Sequence, residues 1–389
     1  MIRKPISVLL LAAMTLSFAA CGAPEVPAGK DTVETAGTSV ESTAMTAEKE
    51  VSKETTATEA AEEQSEKPEV SEIHWARANS GNILVTVAKQ QGYFAEYGIN
   101  IIEDPVDSAG AALTALQTEQ VDVTSNQGTN GPLGFIGKGS DFTIVGGYML
   151  KGMYIVGRKD KEYKDVTSLK GSRFAYNGIH AVTGMALLDA GIDPTSEVEW
   201  LPYDTNSDRL AAVIAGEADY AVLSGDQLLT VANNPDIEIK AWLDDLVPNY
   251  GCCRMNMNTS FVKKNPVTTK LLLKALIRAE QWYLSHKEEC VKILAKEIDA
   301  DEDYVASYLL NENYISSVDP CKKAVLKTWD AMISMGLIDK DEAAKINIED
   351  HINTELYKEA LDECVQEFHD EDPEFYDGRI AFFEENNNL

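Results

Sequence analysis

Positive charge is scarce in this chain. Against 64 Asp and Glu residues stand 34 Lys and Arg, a net charge of −30 over 389 residues. So acidic a chain repels a phosphate backbone, which argues against nucleic acid as a partner. Histidine is rare as well, at five residues, and no paired-histidine metal motif occurs. No Ser-His-Asp order and no phosphate loop stands out, and the chain is not read as an enzyme. Asp299, Asp301 and Asp303 have the spacing of a calcium loop. However, Tyr304 stands where the loop needs glycine and Leu310 where it needs glutamate. Neither a metal nor a cofactor is expected.

Cysteine is sparse and oddly counted. Setting Cys21 aside, Cys252, Cys253, Cys290, Cys321 and Cys364 remain, so at least one cannot pair within the chain. Cys252-Cys253 lies in a strand-like run, where successive side chains face opposite sides. That alternation predicts that the two do not chelate one metal and are simply buried.

Long apolar runs are absent apart from the first stretch. There a short basic start, Met1-Ile2-Arg3-Lys4, precedes an apolar core over Ile6–Ala13, too short for a comfortable membrane span. The core leads to Phe18-Ala19-Ala20-Cys21-Gly22, which resembles the lipobox of bacterial lipoproteins. That implies a signal peptide over residues 1–20 and acyl chains on Cys21, which would anchor the protein to the membrane. From Ala23 to Glu72 aromatics are lacking and Thr, Ala, Glu, Ser and Pro dominate. Such a segment buries too little to offset chain entropy and is expected to be a disordered acidic tether, residues 21–72.

The folded part alternates strand and helix patterns. Strands are predicted over Ile73–Ala76, Ile99–Ile102, Val121–Thr124 and Phe142–Gly146, with helices over Ile83–Gln91, Gly110–Glu119 and Pro132–Lys138. A second set follows: Arg173–Tyr176, a helix over Ile179–Leu188, Glu197–Leu201, a helix over Asp208–Ala215, Ala218–Leu223 and Ile237–Trp242. Between Asp245 and Asn258 the chain is expected to cross back. Five helices complete it, at Pro266–His286, Lys287–Glu297, Glu302–Leu310, Cys321–Met335 and Thr354–Phe368, with Gly336 as the stop of the fourth. This order predicts an α/β protein of two lobes with mainly parallel sheets flanked by helices. Ligands in such folds lie beyond the carboxyl ends of the strands, so polar turns there become the candidate site.

Those turns contain Asn79, Ser80 and Asn82, which either donate to an oxyanion or polar ring or merely cap the following helix. His180 and Thr183 stand in the first turn of the Ile179–Leu188 helix. His180 either donates to an anion, stacks on a ring, or is a solvated loop residue. Asp226, if it faces the ligand, would repel sulfonate or nitrate and favour an amine or protonated ring; otherwise it caps a helix from Gln227 onward. Arg77 and Arg254 are the nearest fixed cations in sequence, either clamping a carboxylate or sulfonate or making a surface salt bridge.

Five segments carry a family resemblance. They are Ala88-Lys89-Gln90-Gln91-Gly92-Tyr93-Phe94-Ala95-Glu96-Tyr97-Gly98-Ile99, Val121-Asp122-Val123, Leu169-Lys170-Gly171, Gly191-Ile192-Asp193-Pro194 and Gly216-Glu217-Ala218-Asp219-Tyr220-Ala221. In this order, behind a lipobox, they resemble the substrate-binding lipoproteins of ABC importers in the nitrate, sulfonate, taurine and thiamine-precursor group. The resemblance spans Ile73 to His286; beyond it only the helical texture agrees. It implies the periplasmic binding protein type 2 fold, with lobe 1 over 73–150 plus 255–389, lobe 2 over 151–254, and a ligand cleft between them. It places binding loops on Asn79–Ile83, Ser125–Gln127 (with Asn126), Asn177–Thr183 and Ser224–Asp226. It further implies a monomer on the outer face of a bacterial cytoplasmic membrane that captures a small polar solute such as sulfonate, nitrate or taurine and passes it to an ABC permease. The alternatives are a binding protein for a thiamine-pyrimidine precursor or other nitrogen heterocycle, an enzyme of the same fold such as a pyrimidine synthase, or a sensory or scaffold lipoprotein.

Overall fold

The computed structural model describes residues 66–78, 80–106 and 108–388. The expected signal peptide, Cys21, the expected tether up to residue 65 and Asn79 lie outside the described residues. Strand β1 (Glu72–Arg77) leads through the helix Ile83–Gln90 to β2 (Asn100–Pro105), and through Ala109–Gln117 to the short β3 (Val123–Thr124). Both β2 and β3 pair with β1 in parallel, Ile73 opposite Ile101 and Trp75 opposite Val123. Next comes β4 (Phe142–Lys151), the longest strand, buried along nine of its ten residues.

The chain then leaves this sheet. β5 (Tyr154–Arg158), β6 (Arg173–Ala175), β7 (Glu199–Leu201), β8 (Tyr220–Leu223) and β9 (Ile237–Trp242) form a second sheet in the order β7-β6-β8-β5-β9. It returns as β10 (Cys253–Asn258), which inserts antiparallel between β3 and β4, and β11 (Ile315–Ser316) borders β4. The first sheet is therefore β11-β4-β10-β3-β1-β2. Two α/β lobes result, but each sheet is mixed rather than mainly parallel. The parallel pairs come from the strand–helix–strand units, and the antiparallel ones from the strands flanking the crossings, β5 in one lobe and β4 with β10 in the other.

The five C-terminal helices form within one residue of their expected ends: Pro266–Ser285, Lys287–Glu297, Glu302–Leu309, Lys322–Ser334 and Glu355–Phe368. Gly336 does adopt the left-handed conformation at φ +70° that stops the fourth. A sixth long helix, Pro373–Asn387, was not anticipated, although Asp372 caps it through Phe375 N–H and Pro373 opens it. β5 was likewise missed.

The end of the expected tether is also different. Glu69 accepts from the backbone N–H of Val267 (3.0 Å) and Thr268 (2.6 Å), and Glu66 pairs with Lys270 at 2.5 Å. The first turn of the Pro266–Ser285 helix presents unsatisfied N–H groups, its own Asn265 makes no side-chain cap, and Glu69 supplies the acceptor. Residues 66–72 are thus held on the fold by polar contacts, which a reading based on apolar content could not detect. Among the described residues, no helix is long and apolar enough to cross a membrane.

Candidate functional site

A cavity of about 500 Å³ opens where the strand ends of the two sheets face one another. One wall comes from the first lobe: Ser80, the turn Asn126–Gly131, and Tyr148 and Met149 on β4. The opposite wall holds Tyr176, His180, Asn206 and the turn Ser224–Asp226 of the second lobe. Tyr250–Cys253 of the returning crossing line it, and so do Tyr304, Tyr308 and Tyr314 from the C-terminal region.

Of the residues singled out in the sequence, Ser80, Asn126, Gln127, His180, Ser224 and Asp226 line this cavity. Asn82, Ser125, Asn177 and Thr183 do not. Asn82 is buried and caps the Ile83–Gln90 helix, accepting from Leu84 N–H (3.1 Å) and Val85 N–H (3.3 Å) and donating to Ser125 Oγ at 3.0 Å. Ser125 Oγ also accepts from Trp75 Nε1 at 3.2 Å and donates to Asn126 Oδ1 at 3.1 Å. These two residues spend their polar atoms on holding the loop. Asn177 is exposed and donates to Asp204 at 2.5 Å. Thr183 is fully buried behind His180.

His180 is itself a helix cap. Its Nδ1 accepts from Thr183 N–H at 3.3 Å and lies 2.9 Å from Thr183 Oγ1. Because Nδ1 is the acceptor, the ring proton is assigned to Nε2, which is left to donate. Burial, helped by the Arg209 charge, pushes the imidazole down to about 3, so the ring is neutral at ordinary pH. His180 also meets the Tyr176 ring edge to face, with centroids 4.7 Å apart.

Asp226 does not cap a helix. The helix Leu228–Asn233 has no side-chain cap, and the Asp226 carboxylate accepts instead from Asn206 Nδ2 (2.7 Å), Ser224 Oγ (2.7 Å) and Gln227 Nε2 (3.0 Å). Neither anticipated arginine clamp lines the cavity. Arg254 is fully buried and donates to the carbonyls of Asp319 and Met149. Arg77 ends β1.

Cys252 and Cys253 depart from the alternation rule. Both line the cavity, and their sulfurs are 3.5 Å apart. Cys252 precedes β10 and follows Gly251 at φ +61°, and the ladder shifts register after Cys253, so strand alternation does not apply to the pair. All five cysteines in the described residues are free and buried.

The tyrosines are what the sequence reading missed. Six of them line the cavity, at 148, 176, 250, 304, 308 and 314. Tyr304 and Tyr308 are one helical turn apart, a spacing visible in the sequence that reads equally well as core packing. Burial pushes Tyr148 up to about 12. Burial, with the Asp226 charge added, does the same at Tyr304. These phenols stay protonated and can donate.

A family model described as NMT1/THI5 like matches residues 79–290, more than half of the chain. The chain belongs to this family. The putative binding protein YtlA of Bacillus subtilis (strain 168) is 21% identical over 255 residues, 63% of this chain and 76% of that protein. Among solved structures, the periplasmic aliphatic sulphonate binding protein SsuA of Escherichia coli matches with a TM-score of 0.61 at 20% identity, over 73% of this chain and 92% of that one. The periplasmic nitrate-binding protein NrtA of Synechocystis PCC 6803 matches with 0.62 at 18% identity, over 76% and 90%. At such identity these structures show the fold, which is that of the periplasmic binding proteins. The two solved structures named here are a sulphonate-binding and a nitrate-binding protein, and the chain shares their fold.

Proposed function

We propose that this protein is the extracytoplasmic solute-binding component of an ABC importer and not an enzyme. Its solute is held between the two lobes. The observation that carries the reading is the 500 Å³ cavity lined from both lobes and from a crossing segment, a size suited to a small molecule. A solute touching both walls stabilises the closed arrangement, and a permease that recognises this arrangement responds only to the loaded protein. We take residues 73–150 with 255–389 as one lobe and 151–254 as the other; the changes of sheet after Lys151 and before Cys253 support this division to within two residues, since Lys151, Cys253 and Arg254 still belong to the first sheet. Ser80, Asn126, Gln127, His180, Ser224 and Asp226 are proposed as ligand contacts, with the tyrosines added. Lipidation at Cys21 would tether a monomer to the outer face of the membrane.

A thermal-shift screen of nitrate, taurine, alkanesulfonates, aromatic carboxylates and pyrimidines tests the proposal. A ligand at 100 times its Kd adds about 2.7 kcal/mol to stability and raises the Tm. Failure of every small solute to shift the transition would argue for a scaffold role. Turnover of a bound pyrimidine would argue for an enzyme.

A further inference from the structure

The charged groups at the cavity are unevenly distributed. Among the described residues that line it, Asp226 is the one acidic side chain, no Lys or Arg is present, and His180 is neutral. Asp226 is half-buried, its three side-chain donors are all uncharged, and no cation lies within 4 Å of it among the described ion pairs. Arg209, whose charge acts on Asp226 and on His180, sits behind Asn206. It donates to Asn206 Oδ1 at 3.1 Å and to the carbonyls of Tyr203 and Asp204, and its guanidinium stacks 4.1 Å from the Tyr176 ring. Asn206 therefore stands between Arg209 and the carboxylate.

Beside Asp226 lies an aromatic wall, carried in part by the helix Glu302–Leu309 that packs on the Gly225–Gln227 turn. Tyr304 and Tyr308 have ring centroids 5.5 Å apart, Tyr308 and Tyr314 5.4 Å, and the Tyr148 and Tyr314 hydroxyls approach to 3.3 Å. The carboxylate is close enough to act electrostatically on both Tyr304 and Tyr308. The buried Tyr308 hydroxyl has no hydrogen-bond partner among the described residues. A carboxylate beside electron-rich rings favours positive charge. It repels an oxyanion, and the Arg209 charge that opposes this lies behind Asn206 and not in the cavity lining.

Resting on the solute-binding reading above, we infer that the ligand is a small organic cation, a protonated nitrogen on a compact apolar or aromatic body. Its positive group contacts Asp226 and its body lies against Tyr304, Tyr308 and Tyr314. This separates the protein from the sulphonate and nitrate binders whose fold it shares.

The test uses the full chain and three probes of one shape: benzylamine, protonated at neutral pH, benzyl alcohol and benzenesulfonate. Thermal shift and calorimetry should rank them in that order. Asp226→Asn should weaken benzylamine binding about tenfold or more, since a charged hydrogen-bonded partner is removed, and should narrow the gap to benzenesulfonate. Tyr308→Leu should weaken benzylamine more than benzyl alcohol. Tightest binding of benzenesulfonate, equal binding of all three, or an unchanged order in Asp226→Asn overturns the inference. If none of the three binds but nitrate, taurine or an alkanesulfonate does, the cation inference falls and the solute-binding reading stands. If nothing in either panel binds, both fall.

Discussion

At the scale of single residues, the site separates groups that face the cavity from groups that hold its walls. Asn82 belongs to the second kind, with its carbonyl on two helix N–H groups and its amide on Ser125. Asn82→Ala removes a cap and leaves buried partners unsatisfied, a loss of about 2 kcal/mol in denaturant unfolding. Asn177→Ala, at an exposed position, should change stability by no more than about 0.5 kcal/mol. Equal effects would contradict the assignment. His180 carries a pH signature. Its folded value near 3 lies below the ordinary 6.5, so the unfolded chain takes up the proton first as pH falls. Its contribution is complete above about pH 6.5 and is lost progressively as pH drops towards 3. Subtracting the stability curve of His180→Asn, which can still cap, from that of the parent should leave a slope of at most about 1.4 kcal/mol per pH unit in that window. A flat difference would mean that the imidazole is not buried neutral.

At the scale of elements, Glu69 shows how a short stretch outside an element can complete it. Partial burial pushes its carboxyl up, but the Thr268 and Val267 N–H groups outweigh this and hold it below the usual range. Glu69→Ala should destabilise the protein by about 1 kcal/mol at neutral pH. Because the folded value is lowered, that difference is present above the normal carboxylate range and disappears as pH falls through the lowered value. Urea titrations of the two proteins at neutral and acid pH measure it, and a pH-independent difference would rule out the capping carboxylate.

At the scale of the whole molecule, the C-terminal helices do more than thicken one lobe. Glu302–Leu309 packs on Leu228–Asn233 and on the turn at Gly225, and Lys322–Ser334 packs on Ala181–Asp189, so both helices reach the second lobe. A methyl group on Gly225 would lie 2.9 Å from Tyr308 Cβ, an atom fixed by its helix backbone. Gly225→Ala should therefore hold the lobes apart. The expected outcome is a larger radius of gyration by small-angle scattering and weaker capture of any solute, with the secondary structure unchanged. An unaltered radius would show that the contact yields without moving the lobes.

The sequence by itself determined most of the elements and their order, with β5, β11 and the helix Pro373–Asn387 among the exceptions. Period-2 and period-3.6 patterning, Pro266 at a helix start and Gly336 at a helix stop are local signals. They placed eight of the eleven strands among the described residues, though β4 runs five residues beyond its expected end, and five long helices within one residue, and the alternation they describe already implies two α/β lobes. The polar turns at Ser80, Asn126, His180 and Ser224–Asp226 were legible for the same reason, since each follows a strand directly. Only the tertiary structure decided which polar side chain faces outward. Asn82 and Asn126 look alike in sequence, and the difference between a cap and a cavity wall depends on neighbours more than forty residues away. Of the tyrosine wall only the Tyr304–Tyr308 spacing was legible, and it reads equally well as core packing. Tyr148 stands on a strand, Tyr176 and Tyr250 come from the second lobe and the crossing, and Tyr304, Tyr308 and Tyr314 follow far along the chain. Their convergence depends on how the lobes and helices pack, and no local pattern of residues encodes that.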